Sequence, residues 1–246
     1  MVQMRTRSVM VTGGGTGIGL AIAQHLANCG HDVTVTGRRR EVLESTGLNF
    51  VEMDVTDRGS IERGLSAIGD VDVFVANAGR ADTAPALKMD LESFDAMLEV
   101  NLKSVFHCAQ TAIPAMRTRG FGRFIVVAST AALKGYRYTA GYAAAKHGVL
   151  GFIRCLALEL GKTGVTANAI CPGFTDTPLI DAAVDNIGRK TGLDRDQAIQ
   201  QMVADNPQGR LVDPMEVAAC AAWLVSDGAA AVNGQAIAID GGETAS

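Results

Sequence analysis

The chain has 246 residues, 48% of them hydrophobic, 20% charged and 5% aromatic, with a formal net charge of -4. That balance fits one soluble globular unit with a sizeable core and is too apolar for a disordered chain. It lacks the basic surplus of a nucleic-acid reader, and every apolar run breaks well before the roughly 18 residues of a membrane span, so neither partner is expected.

Met1 to Ser8 lead through a short apolar stretch into three glycines and offer no secretory hydrophobic region, so a cytoplasmic location is expected. Short β-branched runs at 9–12, 33–36, 50–53, 71–75, 124–127, 165–170 and 236–239 read as strands. They alternate with helical patterns at 18–28, 60–68, 94–118, 141–160, 195–204 and 214–224. Near-continuous apolar strands separated by helices predict an α/β chain: a single-domain, doubly wound Rossmann fold, with a parallel sheet covered by helices on both faces. Residues 172–213 lack strand signals over a length too great for a passive connection, and about 174–213 reads as a helical lid over the substrate.

In chain order, the first chemical signal is Thr12-Gly13-Gly14-Gly15-Thr16-Gly17-Ile18-Gly19, a glycine turn between the first strand and the first helix. Glycine lets backbone approach a pyrophosphate, and the helix opening near Ile18 offers free N–H groups and a positive dipole end. A tight turn without a ligand would share the glycines, but strand, turn and helix here fall where dinucleotide binding needs them. Farther on, Tyr142 and Lys146 stand four apart in a predicted helix and so share a face. A phenol titrates near 10, and an ammonium beside it favours the phenolate, making Tyr142 a candidate acid/base. A surface helix contact would show the same spacing. Ser129 lies at the carboxyl end of a predicted central strand, where open sheets bind ligands, and its flanks do not form the G-x-S-x-G elbow of an acyl nucleophile.

The five cysteines are odd in number, scattered and without a C-x-x-C pair, which argues against a disulfide framework or zinc site and reads as reduced, buried side chains. The four histidines show no ligand spacing, and no metal site is expected.

The G-x-x-x-G-x-G spacing of Gly13, Gly17 and Gly19 resembles the short-chain dehydrogenase/reductase family. So do Asn77-Ala78-Gly79, Asn101, Ser129, Tyr142-x-x-x-Lys146, Pro172-Gly173 and Asp240-Gly241-Gly242, which span nearly the whole chain. The resemblance implies a seven-stranded sheet and a catalytic set of Asn101, Ser129, Tyr142 and Lys146, with Ser129 holding the substrate oxygen and Asn101 bending its helix around a proton-relaying water. It further implies a nicotinamide cofactor held by Gly13, Thr16, Gly17, Ile18 and Gly19, by Asp54 and Val55, by Asn77 to Gly79, by Tyr142 and Lys146, and by Pro172, Gly173, Thr175 and Thr177.

Where family members that prefer NAD usually carry an acid, this chain has Gly37 followed by Arg38-Arg39-Arg40. A guanidinium can bind a 2'-phosphate with charge-assisted bonds, so NADP(H) is favoured, with Arg38 as its partner and NAD(H) as the alternative. Arg39 and Arg40 read as a solvated helix start. Within the family the chain resembles the 3-hydroxybutyrate dehydrogenase and 3-oxoacyl reductase branch. The carboxylate clamp of the former is replaced by Ala81, Ala131, Thr139 and Ala183. The expected reaction is NADPH-linked reduction of a 3-oxoacyl thioester, or a similar ketone, to a secondary alcohol. An NAD-linked alcohol or hydroxy acid dehydrogenase and a catalytically silent dinucleotide-binding subunit are the alternatives. A homodimer or homotetramer packed through the helices at 94–118 and 141–160 is expected by analogy.

Overall fold

The structure is a computed structural model that describes residues 5–245; residues 1–4, part of the stretch read for export signals, lie outside the described residues. Seven parallel strands form one sheet in the order β3-β2-β1-β4-β5-β6-β7. These are β1 (Ser8–Thr12), β2 (Asp32–Gly37), β3 (Asn49–Glu52), β4 (Val73–Ala76), β5 (Gly122–Val127), β6 (Val165–Pro172) and β7 (Ala236–Ile239). The helices are α1 (Gly17–Asn28), α2 (Arg40–Glu44), α3 (Arg58–Ile68), α4 (Leu91–Leu98), α5 (Ser104–Arg119), α6 (Ala140–Leu160), α7 (Pro178–Thr191), α8 (Arg195–Met202) and α9 (Pro214–Val225).

Side chains alternate across a strand, so β1 feeds two cores. Val9 and Val11 pack with Ile22 and Leu26 of α1 and with Val217, Ala221 and Leu224 of α9. Met10 faces the other way, with Phe74, Phe124, Ile113 and Ile153. The Phe74 and Phe124 rings stack at 5.6 Å between adjacent strands. Each such side chain contributes roughly 1.5–3 kcal/mol by leaving water. α9 starts on a capping box: the Asp213 side chain accepts from the first-turn backbone while Glu216 accepts from the Asp213 N–H at 2.9 Å. Both Glu216 oxygens also accept from Arg210, at 2.8 Å each.

The chain runs outward from β1 to β3, then returns to build β4 to β7 on the other side. The strand order therefore reverses between β1 and β4, and their carboxyl ends open a crevice there.

Several expectations change. The single helix expected over 94–118 is α4, a π-turn over Glu99–Lys103, and α5. The break is local hydrogen bonding that apolar spacing does not record: Asn101 Nδ2 donates to the Met97 carbonyl at 3.0 Å, and Ser104 Oγ donates to that of Val100 at 2.6 Å. Two helices not located from the sequence are α2 and α7, the latter within 174–213. Cysteines were expected buried, but Cys155 is exposed on α6, while Cys108 and Cys171 are buried. Among the described residues no helix is long and apolar enough to cross a membrane.

Candidate active site

The glycine turn after β1 depends on its missing side chains. Gly13 and Gly17 have φ of +62° and +54°, a region other residues rarely adopt. A Cβ at Gly19 would collide with Asn77 Nδ2 and with the Gly13 carbonyl oxygen. Asn77 holds the turn shut from β4, its Nδ2 donating to the carbonyls of Thr12 at 3.0 Å and Gly13 at 3.2 Å. Thr12, a residue outside the expected site, answers from β1. Its Oγ1 accepts from the N–H groups of Asn77 and Ala78, both at 3.0 Å. A Thr ending a buried strand just before a glycine turn is the signal that could have marked it. Thr16 caps α1 in extended conformation without a side-chain bond to the helix, so the first N–H groups of α1 face the crevice.

That crevice has a volume of about 570 Å³, inside the roughly 300–1,000 Å³ common for ligand sites. Gly13, Thr16, Gly17 and Ile18 line it together with Thr177, as do Asn77, Ala78 and Gly79 and, from the catalytic candidates, Asn101, Tyr142 and Lys146. Arg38, Asp54 and Val55 line the β2–β3 side. Gly19, Ser129, Pro172, Gly173 and Thr175 are not on the lining. Gly19 is taken up in packing α1 against Asn77. The N–H of Gly173 donates to the Ile239 carbonyl at 3.0 Å, and the buried Thr175 hydroxyl donates to that of Gly173 at 2.9 Å. Thr177 caps α7, and its methyl would stand 3.3 Å from a Cβ at Gly17, which brings the start of 174–213 against the glycine turn.

On the β2–β3 side, Asp54 accepts from the backbone N–H of Thr56 at 2.9 Å and from its hydroxyl at 2.7 Å. Burial pushes the Asp54 carboxyl up, but the Thr56 bonds and the charge of Arg38 outweigh it and hold it below its usual value. Arg40 is tied to Glu44 at 2.7 Å and Glu52 at 3.2 Å, consistent with a solvated helix start. Arg39, read the same way, lines the crevice beside Arg38.

Among the catalytic candidates, α6 delivers Tyr142 and Lys146 one turn apart. The Tyr142 phenol neighbours the side chain of Ser129, just past β5, whose Oγ accepts from the Ala131 N–H at 3.1 Å. Burial pushes the phenol above its ordinary value, and the Ser129 hydroxyl only partly offsets this. That direction differs from the one expected of a phenol beside an ammonium, because Lys146 is aimed elsewhere. Lys146 Nζ donates to the Val127 carbonyl at 3.0 Å and lies 5.5 Å from the centre of the Tyr142 ring. Complete burial lowers the Lys146 amine to about 8, with the nearby Cys171 opposing the shift. Asn101, 1% exposed, sits in the π-turn and clamps the backbone of Arg80, accepting from its N–H at 3.3 Å and donating to its carbonyl at 2.9 Å. The site therefore holds a phenol, a neighbouring hydroxyl and a buried amine beside the glycine-lined crevice.

Residues 13–244 match the family model described as Enoyl-(Acyl carrier protein) reductase. The chain is 40% identical over 241 residues to the 3-oxoacyl-[acyl-carrier-protein] reductase MabA of Mycobacterium tuberculosis, covering 96% of this chain and 92% of the relative. It is 36% identical over 250 residues to a D-beta-hydroxybutyrate dehydrogenase of Cupriavidus necator, covering 96% and 97%. Among solved structures, a variant actinorhodin polyketide ketoreductase with NADPH superposes with a TM-score of 0.92 at 36% identity, covering 99% of both chains.

Proposed function

The chain belongs to the short-chain dehydrogenase/reductase family, an oxidoreductase family, and from that premise we propose that it reduces a 3-oxoacyl thioester, or a similar ketone, to a secondary alcohol with NADPH. The observation that carries this reading is the grouping of the Tyr142 phenol with the neighbouring Ser129 hydroxyl and buried Lys146 beside the crevice. In this reading both hydroxyls would meet one carbonyl oxygen.

The crevice fits a dinucleotide: its turn has the positive-φ glycines and uncapped helix start that a pyrophosphate needs, and Arg38 stands at the β2 edge for a 2'-phosphate. Arg38, with Arg39 beside it, favours NADPH over NADH. Asn77 to Gly79 would line the cofactor, and Thr177 is better placed than Thr175 to reach the carboxamide end. When bound, the reduced nicotinamide supplies a hydride to the carbonyl carbon. Ser129 holds the carbonyl oxygen, Tyr142 gives that oxygen its phenolic proton, and the C=O becomes CH–OH. Burial favours the protonated phenol, the form that reduction requires. Lys146, held by Val127, and Asn101, fixed to Arg80, shape the space behind Tyr142 through which the proton is replaced.

The branch resemblance adds the substrate class. Ala81, Ala131, Thr139 and Ala183 carry no charge, and a free carboxylate left unpaired among them would cost several kcal/mol to desolvate. A thioester carries none at that position. Helices α7 and α8 form the substrate lid in this reading. Exposed Phe106 on α5 and Leu158 on α6 support an oligomer packed through those helices, which sedimentation would size.

The test is a matrix of initial rates: NADPH and NADH against short and long 3-oxoacyl thioesters, 2-enoyl thioesters, free 3-oxo acids and cyclic ketones. NADPH with 3-oxoacyl thioesters is expected to be fastest. No turnover of any carbonyl, or a preference for the enoyl thioesters, overturns the proposal.

A further inference from the structure

The Asp240-Gly241-Gly242 segment, one of the motifs behind the family resemblance, has so far no role. Its Asp240 closes a tight turn, Oδ1 accepting from the Gly242 N–H at 3.0 Å and Oδ2 from the Thr244 N–H at 2.9 Å. The turn aims Glu243 inward, where its side chain is only 3% exposed. Two groups meet its Oε1: the Tyr136 hydroxyl at 2.6 Å and Lys134 Nζ at 3.0 Å.

The Tyr136 oxygen also lies 2.6 Å from Thr130 Oγ1. A phenol has one proton, so Tyr136 donates it to the carboxylate and accepts from Thr130. Thr130 is buried and directly follows Ser129. Lys134 also reaches Asp205, at 3.5 Å, just beyond α8, and the Tyr136 ring meets Phe174 edge-on at 5.9 Å. One buried carboxylate thus joins three segments distant in sequence: the loop carrying Ser129, both ends of residues 174–213, and the chain's last turn. Buried ion pairs are poor sources of stability, since apolar side chains of equal volume usually serve as well. A charge kept here calls for another reason, and its contacts lead to Ser129.

We propose that Glu243 is a positioning residue for the reduction: through Tyr136 and Lys134 it fixes the 129–139 loop, so that the Ser129 hydroxyl stays aligned with Tyr142. This rests on the reductase reading above. Glu243 touches neither ketone nor cofactor, and its loss acts through the loop.

The test uses the full-length enzyme with NADPH and acetoacetyl-CoA as probe. Glu243→Gln is expected to lower kcat roughly 10-fold and raise the ketone KM roughly 3-fold, while the Kd for NADPH by fluorescence titration changes less than about 2-fold. Lys134→Met should cost at least as much, because it strands a buried carboxylate, and Lys134→Arg should recover most of that loss. The Glu243→Gln/Lys134→Met double variant should lose no more than Lys134→Met alone, the non-additivity expected of one coupled unit. If Glu243→Gln fails to fold, Tyr136→Phe gives the same kcat and KM readout. Variants that melt earlier yet keep wild-type kcat and ketone KM make the network merely structural and overturn this inference alone. A wild-type enzyme inert toward every carbonyl overturns it together with the reductase reading.

Discussion

Lys146 points past the phenol that precedes it by one helical turn: its Nζ donates to the Val127 carbonyl of β5 at 3.0 Å and stands 5.5 Å from the centre of the Tyr142 ring. The Tyr142 proton is therefore governed by burial and by Ser129, and the amine acts from below. Tyr142→Phe removes the proton donor while keeping the ring's packing. It is expected to lower kcat at least roughly 10²–10⁴-fold and to leave NADPH affinity within about threefold, by parallel rate and fluorescence measurements. A variant keeping a tenth of wild-type activity would remove Tyr142 from the chemistry.

The depressed Lys146 amine has its own signature. Below about 8 it is an ammonium with three donors; above that it loses its charge and one of those three N–H groups. kcat/KM for NADPH, which reports groups on the free enzyme, is therefore expected to fall as pH rises through about 8. A profile flat to pH 10 would place the ionisation elsewhere.

Arg38→Gln tests the cofactor choice. Losing one charge-assisted contact to a phosphate costs roughly 1.5–3 kcal/mol, so kcat/KM for NADPH should drop roughly 10- to 100-fold, with NADH much less affected. Equal losses with both cofactors would refute a 2'-phosphate role.

Glycines in two settings should respond oppositely to alanine. At Gly19 the new Cβ meets Asn77 Nδ2 and the Gly13 carbonyl, an overpacking cost of roughly 1–3 kcal/mol plus the displaced Asn77 bonds. At Gly151 on α6, a Cβ meets nothing within 4 Å, and alanine should stabilise the helix by roughly 0.5–1 kcal/mol. Calorimetry should show the melting temperature falling for Gly19→Ala and rising slightly for Gly151→Ala.

Glu216 links stability to acid. Arg210 and the Asp213 N–H hold its carboxyl at about 2, below its unfolded value, so the stability it adds is present above the unfolded pKa and fades as pH falls toward about 2. With its side chain 41% exposed, solvent screening cuts the effect to about 1 kcal/mol. Glu216→Gln should lower the neutral-pH melting temperature by about 2–4 °C, the gap closing as the pH drops from 4.5. A gap constant with pH would show that charge is not the cause.

The inner strands were legible because each is buried on both faces and reads as a near-continuous apolar run, while the half-exposed edge strands β3 and β7 showed as short apolar runs. The glycine turn and the Tyr142–Lys146 pair were legible because their chemistry depends on short spacings. What escaped depends on contacts between distant residues or on hydrogen bonding without an apolar signature. The π-turn at Asn101 keeps a helix's composition while changing its bonding. Arg39 gave no sign of facing the crevice rather than solvent. Tyr136 finds its carboxylate 107 residues away, and no local window contains both.

The reciprocal stitching of Thr12, Gly13, Asn77 and Ala78 across β1 and β4 makes the crevice floor a fixed platform. Variation that alters which ketones are accepted should then accumulate in residues 174–213, whose hydrophobic cluster of Ile180, Val184 and Ala198 is separate from the two sheet cores. Exchanging that stretch with a relative's is expected to transfer taste for substrate while leaving coenzyme preference with the recipient.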